Sequence, residues 1–261
     1  IVTPSYNQAQ YLEETIRSVL LQNYPNLEYI IIDGGSTDGS VEIIKKYERW
    51  LSYWESEKDR GQSHAVNKGI RIAKGEIIFW LNSDDILLPN ALITIAENFR
   101  KQPRYKLITG QAKVMNDKSI IIGDMRSEFT YWENLATGAS NHIRQVSTFF
   151  RREIFNELGF LDEQLIIAMD SELLLRFTKK YTPLVIDKFL SVFRVQENAK
   201  SQKMRLIGRI EADKFKLKYL DKNSHKEIYR KNSSKKWTFY SKLSRFTIFE
   251  RCQCLWNAFK I

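Results

Sequence analysis

The first hundred residues alternate short apolar runs with segments of helical period, and this rhythm constrains the fold more than any other feature. Ile1-Val2-Thr3 reads as a strand end. Leu12, Ile16, Val19 and Leu20 then share one face of a helix that Asn7 is placed to cap and that ends before Pro25. Leu27 to Ile32 is a second apolar run, closed by the turn Asp33-Gly34-Gly35-Ser36-Thr37-Asp38-Gly39. A helix from Ser40 to Trp50, a short strand from Ser52 to Glu55 and a helix from Ser63 to Ala73 follow. Ile77 to Leu81 reads as a buried strand, and Pro89 opens a fourth helix reaching Arg100. Strands alternating with helices at this spacing build βαβ units and a mostly parallel sheet.

Past residue 105 the pattern changes. Two strand-like runs, Lys106 to Met115 and Ser119 to Gly123, flank Asn116-Asp117 as a hairpin signal. Val146 to Phe150 reads as a strand, Arg152 to Leu158 as a short helix, and Met169 to Tyr181 as a longer helix stopped by Thr182-Pro183. From about Asn198 the chain becomes helical, basic and aromatic. Charge separates this part sharply: residues 200–261 hold 17 of the 41 Lys+Arg but only 5 of the 31 Asp+Glu, so the +10 net charge is carried by a basic arm on a near-neutral body.

Several classes are excluded. Cys252 and Cys254 make neither a disulfide framework nor a zinc set, and a reducing cytosolic setting is expected. No run of about 18 apolar residues spans a membrane, and no secretory leader is recognised. Because Ile1 lies inside a strand-like run without a Met, a few residues are expected to precede it.

In open α/β sheets, ligands bind outside the carboxyl ends of the strands. Three such ends are polar: Thr3-Pro4-Ser5-Tyr6-Asn7, Asp33 to Asp38, and Asn82-Ser83-Asp84-Asp85. Each alone reads equally as a turn with a helix cap. Together they gather carboxylates at one sheet edge, which is costly unless a cation or hydrogen-bond donors sit among them. Asp84-Asp85 is the sharpest element, since five apolar residues hold it at a rigid strand end. Such carboxylates suit Mg²⁺ or Mn²⁺, which also takes substrate phosphate oxygens.

These segments, together with Asp59-Arg60-Gly61-Gln62-Ser63-His64-Ala65-Val66-Asn67-Lys68-Gly69, stand in the order and spacing of family 2 glycosyltransferases, which the chain resembles over about residues 1–195. The resemblance implies a GT-A, Rossmann-like α/β fold with a mostly parallel central sheet flanked by helices. A nucleotide-sugar half would cover about 1–105 and an acceptor half about 106–198, followed by a basic helical extension, 199–261. It also implies residue roles. Thr3 and Asp33 would hold the nucleobase, Asp33 accepting from a uracil imide, with Pro4, Ser5 and Tyr6 lining the pocket. Arg60 would contact base or phosphate, and Gln62, Asn67 and Lys68 would support that wall. Asn82-Ser83-Asp84-Asp85 resembles the DXD motif with Asn82 in the first acidic place, leaving Asp84 and Asp85 to share metal and ribose contacts.

Family 2 enzymes mostly invert and use one carboxylate base. Met169-Asp170-Ser171-Glu172-Leu173-Leu174-Leu175-Arg176 resembles the segment that carries it. Met169 replaces the first acid of the family's pair, Asp170 is the expected base and Glu172 the alternative. Arg176 would touch the donor diphosphate or face solvent. His64, His142 and His225 are scattered and show no ligand spacing. Trp132, His142, Arg144 and Gln145 fall in the acceptor-facing segment, where 128–145 is long enough for a lid.

In the extension, Trp237, Phe239, Tyr240, Phe246, Phe249, Trp256 and Phe259 interleave with Lys and Arg. That profile fits an interfacial segment on anionic lipid, or a packing helix with a solvated face. No nucleic-acid motif is present, so no nucleic-acid partner is expected. The sequence therefore implies a metal-dependent inverting transferase moving sugar from a UDP-sugar or similar nucleotide-sugar donor to a glycan or lipid-linked saccharide acceptor. The setting is bacterial surface polysaccharide assembly, in the cytoplasm at the inner face of the membrane. The alternative is a non-catalytic nucleotide-sugar-binding or membrane-scaffold protein that keeps the fold.

Overall fold

The computed structural model describes residues 1–128, 143–196 and 199–219. The first half follows the expected alternation: β1 (Val2–Ser5), α1 (Ala9–Leu20), β2 (Ile30–Asp33), α2 (Ser40–Tyr47), β3 (Tyr53–Ser56), α3 (Gln62–Ile72), β4 (Ile77–Ile78), β5 (Ile86–Leu87) and α4 (Ala91–Lys101). The second half contains β6 (Leu107–Met115), β7 (Ile121–Met125), β8 (Thr148–Arg151), α5 (Glu153–Leu158), α6 (Met169–Lys180), β9 (Leu184–Arg194), α7 (Lys200–Lys203) and α8 (Arg205–Tyr219).

Parallel pairing holds in the first half, where β1, β2 and β3 form a parallel sheet in that order. The second sheet is mixed. Its order is β4-β8-β6-β9-β5 with β7 on β6, and only β6 and β9 run parallel. Residues 77–81 join the two sheets. β4 pairs antiparallel with β8, and the chain then runs parallel to β1, with Val2 N–H on the Phe79 carbonyl and Leu81 N–H on the Val2 carbonyl, both at 2.9 Å.

Strand alternation sorts the apolar residues onto two faces. Val2, Ile30, Ile32, Ile78, Trp80 and Phe150 meet α3, α5 and α6 on one side. Ile31, Phe79, Leu81, Ile108 and Phe149 meet α1, α2 and α4 on the other. α3 lies so close to β1 that a Cβ on Gly69 would stand 2.3 Å from Val2 Cγ1. This three-layer arrangement leaves the carboxyl ends of β1, β2, β3 and 77–81 free to carry polar loops.

One local expectation changes. Asn7 does not cap α1. It adopts φ 50° and its Oδ1 accepts the Thr37 N–H (2.9 Å), while Asp38 and Ser40 receive the N–H groups of Ala9 and Gln8 at 2.9 and 3.0 Å. The 33–40 turn therefore caps α1 from outside and is tied to the 5–8 loop. The chain divides into one compact unit, Ile1–Lys216, and a second, Leu217–Ile261. Among the described residues no helix is long and apolar enough to cross a membrane.

Candidate active site

The strand-end turn at Asn82–Asp85 is anchored from three directions. Thr15 Oγ1 of α1 donates to the Asp85 carbonyl (2.8 Å). The Asp85 carboxylate, fully buried, accepts the Arg194 N–H at 2.9 Å and Asn82 Nδ2 at 3.2 Å. The Arg194 side chain then clamps the turn from behind. Its Nε donates to the Asp84 carbonyl (2.9 Å), Nη1 to the Asn116 carbonyl (3.2 Å) and Ser119 Oγ (2.9 Å), and Nη2 to Glu14 (2.5 Å), while its guanidinium lies 4.4 Å from the Tyr11 ring.

Asp84 is the more accessible of the two acids. It is half-buried, and its Oδ2 accepts Gln196 Nε2 at 2.6 Å. Burial raises the Asp84 carboxyl. Burial and the neighbouring Asp84 charge push Asp85 well above the usual carboxylate range. Among the described residues no ion pair reaches either carboxylate, and no three His, Cys, Asp or Glu side chains form a complete metal cage. Arg194 is the positive group nearby, and it lowers both carboxyls less than burial raises them. Two adjacent acids so placed, one of them at the rim, fit a divalent ion that completes its shell with phosphate oxygens and water. Asp85 is the more deeply held of the pair, with one protein donor on each oxygen, and Asp84 the more exposed.

The nucleotide-side residues divide into those that face the edge and those that build it. Thr3 and Pro4 lie on opposite faces of β1. Thr3 is fully buried and shares a 3.1 Å hydrogen bond with Tyr29 Oη. Ser5 Oγ is buried without a protein partner among the described residues, and Tyr6 is 61% exposed. Asp33 is fully buried: Oδ2 accepts Gly35 N–H (3.1 Å), Ser36 N–H (2.8 Å) and Ser56 Oγ (2.7 Å), and Oδ1 accepts Ser36 Oγ (2.6 Å). It moulds the turn while keeping a lone pair on Oδ1.

Further along, Arg60 pairs with Glu163 (2.7 Å), and Lys68 pairs with Glu55 and Glu57 (3.7 Å for the latter). Asn67 is buried and brackets Leu161, accepting its N–H and donating to its carbonyl, both at 2.9 Å. The start of α3 connects the two halves of the site. Gln62 Nε2 donates to Asn82 Oδ1 at 2.8 Å, and Ser63 Oγ reaches the Leu165 carbonyl at 3.4 Å.

Leu165 belongs to the segment entering α6, where Asp170 lies in the first turn. Asp170 is half-buried, its Oδ1 accepts the Ser171 N–H (2.7 Å), and burial raises its carboxyl. Glu172 takes a different role. It is 5% exposed and holds Arg176 through two bonds, Nε–Oε1 at 3.0 Å and Nη2–Oε2 at 2.8 Å. Arg176 also donates to the carbonyls of Leu158, Gly159 (3.1 Å) and Phe160 (2.8 Å). The pair closes the carboxyl end of α5. The alternative base Glu172 is here the partner of Arg176, and the Arg176 side chain turns to Glu172 and the end of α5. Trp132, His142, most of the 128–145 segment in which a lid is expected, and residues 220–261 lie outside the described residues.

Sequence reasoning overlooked Arg194 and Gln196, because the strand that delivers them was not recognised. Swapping Arg194 for Met keeps its length but deletes every bond from the guanidinium. The variant is expected to be less stable by about 3 kcal/mol, the scale for breaking a buried ionic network. A chemical-denaturation midpoint shifted down with unchanged slope would report this.

A three-layer α/β body with acidic and glycine-rich loops gathered at the carboxyl edge of its parallel strands is the architecture of the GT-A fold. The family model "Glycosyl transferase family 2" matches residues 1–159, and the chain belongs to that family. It is similar to the poly-β-1,6-N-acetyl-D-glucosamine synthase of Staphylococcus epidermidis, 31% identical over 195 residues, covering 68% of this chain and 46% of that protein. The synthase of the same description from Staphylococcus aureus strain COL is 30% identical over 194 residues, covering 69% and 47%. The chain spans about half the length of these relatives. Among solved structures it resembles S. aureus TarS 1–349 in complex with UDP-GlcNAc (20% identity, TM-score 0.62, 98% of this chain and 78% of that one). It also resembles the mannosyltransferase PcManGT from Pyrobaculum calidifontis in complex with GDP-Man and Mn²⁺ (18% identity, TM-score 0.63, 98% and 78%).

Proposed function

We propose that this chain is an inverting, metal-dependent glycosyltransferase that moves a sugar from a UDP-sugar to a hydroxyl of a glycan or lipid-linked saccharide in bacterial surface polysaccharide synthesis. One observation carries this reading: consecutive residues at the start of α3 touch both the Asp84 turn, through Gln62, and the segment leading to Asp170, through Ser63. A departing-group side and a base side thus share one short support.

In this reading Pro4, Tyr6 and the Ser5 hydroxyl border the nucleobase, and Asp33 Oδ1 accepts the uracil imide. Asp84, with Asp85 behind it, would hold Mg²⁺ or Mn²⁺, which when bound supplies positive charge against the diphosphate leaving group. Asp170 takes the proton of the acceptor hydroxyl as its oxygen bonds to the anomeric carbon and the bond to the diphosphate breaks. A carboxyl raised by burial is a stronger base than an exposed one and suits that task. The names of the similar proteins make UDP-N-acetylglucosamine the first donor to test. The extension beyond residue 219 would place the enzyme on anionic lipid at the inner membrane face.

The test is UDP release from UDP-N-acetylglucosamine with and without a glycan acceptor. Activity is expected to vanish on chelation with EDTA and to return with excess Mn²⁺ or Mg²⁺. Nucleotide binding without any transfer or hydrolysis of any nucleotide sugar would overturn the proposal.

A further inference from the structure

The segment between α5 and α6 carries the backbone from Gly159 to Ala168 without strand partners, so its polar groups must find acceptors elsewhere. Near its start Asn67 brackets Leu161. At its end three consecutive N–H groups converge on one carboxylate. Ile166 donates to Glu211 Oε1 at 2.7 Å, and Ile167 and Ala168 donate to Oε2, both at 2.9 Å. Glu211 lies on α8 and is 8% exposed. Ala168 is the residue immediately before α6, two positions ahead of Asp170.

Packing reinforces these bonds. Gly208, one turn before Glu211, lies against Ile167, where a Cβ would stand 2.7 Å from Ile167 Cγ2. Phe215, one turn after it, is buried. Three donors on one side chain fix both the position and the direction in which α6 begins. A carboxylate is required, because three N–H groups need acceptor sites on two oxygens. A glutamine would set its own NH₂ against at least one of them.

The geometry points to Glu211 as a positioning residue for Asp170: by mooring residues 166–168 it sets where the base stands relative to the donor. This inference rests on Asp170 being the base. It also makes the first long helix of the basic extension, which the family match at 1–159 does not reach, part of the catalytic body. Displacing a catalytic group by about 1 Å can cost on the order of 10²-fold in rate.

The test uses the full chain with Glu211→Gln, Glu211→Ala and Asp170→Asn, on the nucleotide sugar that the wild type turns over fastest. The expected result is a kcat per folded enzyme lowered about tenfold in Glu211→Gln and further in Glu211→Ala. Donor KM and the affinity for UDP with Mn²⁺ should stay within about twofold, since the nucleotide side is untouched. If Glu211→Ala does not fold, Glu211→Gln decides. A lower melting temperature with unchanged kcat would make Glu211 merely structural and overturn the inference. A near-normal rate in Asp170→Asn, with kcat still lost in Glu211→Gln, would instead show that Asp170 is not what Glu211 positions.

Discussion

Asp84→Asn is expected to lower transfer by about 10²- to 10³-fold, the scale of losing a few kcal/mol of charge stabilisation at the leaving group. The substitution conserves volume, and the amide oxygen can still accept from Gln196, so the fold should survive. What changes is charge. A hard divalent cation binds an amide oxygen far less well than a carboxylate. The sharpest readout is UDP affinity measured with Mn²⁺ and again with EDTA. The wild type should gain affinity from the ion and Asp84→Asn should not, while the two should match in EDTA. Asp85→Asn should behave differently. Its two carboxylate oxygens already accept from Arg194 N–H and Asn82 Nδ2, so an amide nitrogen there faces a donor. That variant should lose stability first. Equal Mn²⁺ enhancement in Asp84→Asn and the wild type would remove Asp84 from the metal site.

The contrast between the two acids was not legible in the sequence, and the reason is topological. Asp84 and Asp85 are neighbours in the chain, but what separates a half-buried rim acid from a fully buried one is β9 and the residues just after it, which arrive a hundred residues later with Arg194 and Gln196. The first half could be read because its elements are local. Apolar runs, glycine turns and helical periods within 105 residues fixed the parallel strands and the edge where loops meet. β9 escaped because Leu184 to Arg194 alternates imperfectly, with Asp187 and Lys188 interrupting its apolar residues and Thr182-Pro183 marking only the end of the preceding helix.

The same limit applies to charges. The sequence offers Glu172 as the alternative base and Arg176 as a diphosphate contact or a solvent-facing residue. Their bond to each other, and the carbonyls of Leu158, Gly159 and Phe160 that α5 brings to Arg176, are not legible from their place on one helix. For Thr3 the missing information is its partner: period-two alternation sets it on the face opposite Val2, and its hydroxyl meets Tyr29 of the segment leading into β2.

Asp170→Asn is expected to abolish the base while keeping the donor site, lowering kcat by about 10²- to 10⁴-fold with little change in donor affinity. The amide has nearly the same shape and its oxygen can keep the Ser171 N–H, so loss of rate without loss of fold isolates proton transfer. The direction of the pKa shift adds two further consequences. Burial raises the Asp170 carboxyl, so the acid limb of the wild-type kcat profile should lie above the ordinary carboxylate range. The folded state then binds this proton more tightly than the unfolded chain does. Stability falls as pH rises from the unfolded value through the folded one, and above that the charged form carries its full burial penalty. At neutral pH Asp170→Asn should therefore melt at or above the wild-type temperature, a catalytic group held at the expense of stability. A variant that melts lower and still turns over would place the base elsewhere. One that melts higher and is inactive would tie the burial cost of the Asp170 charge to the chemistry it serves.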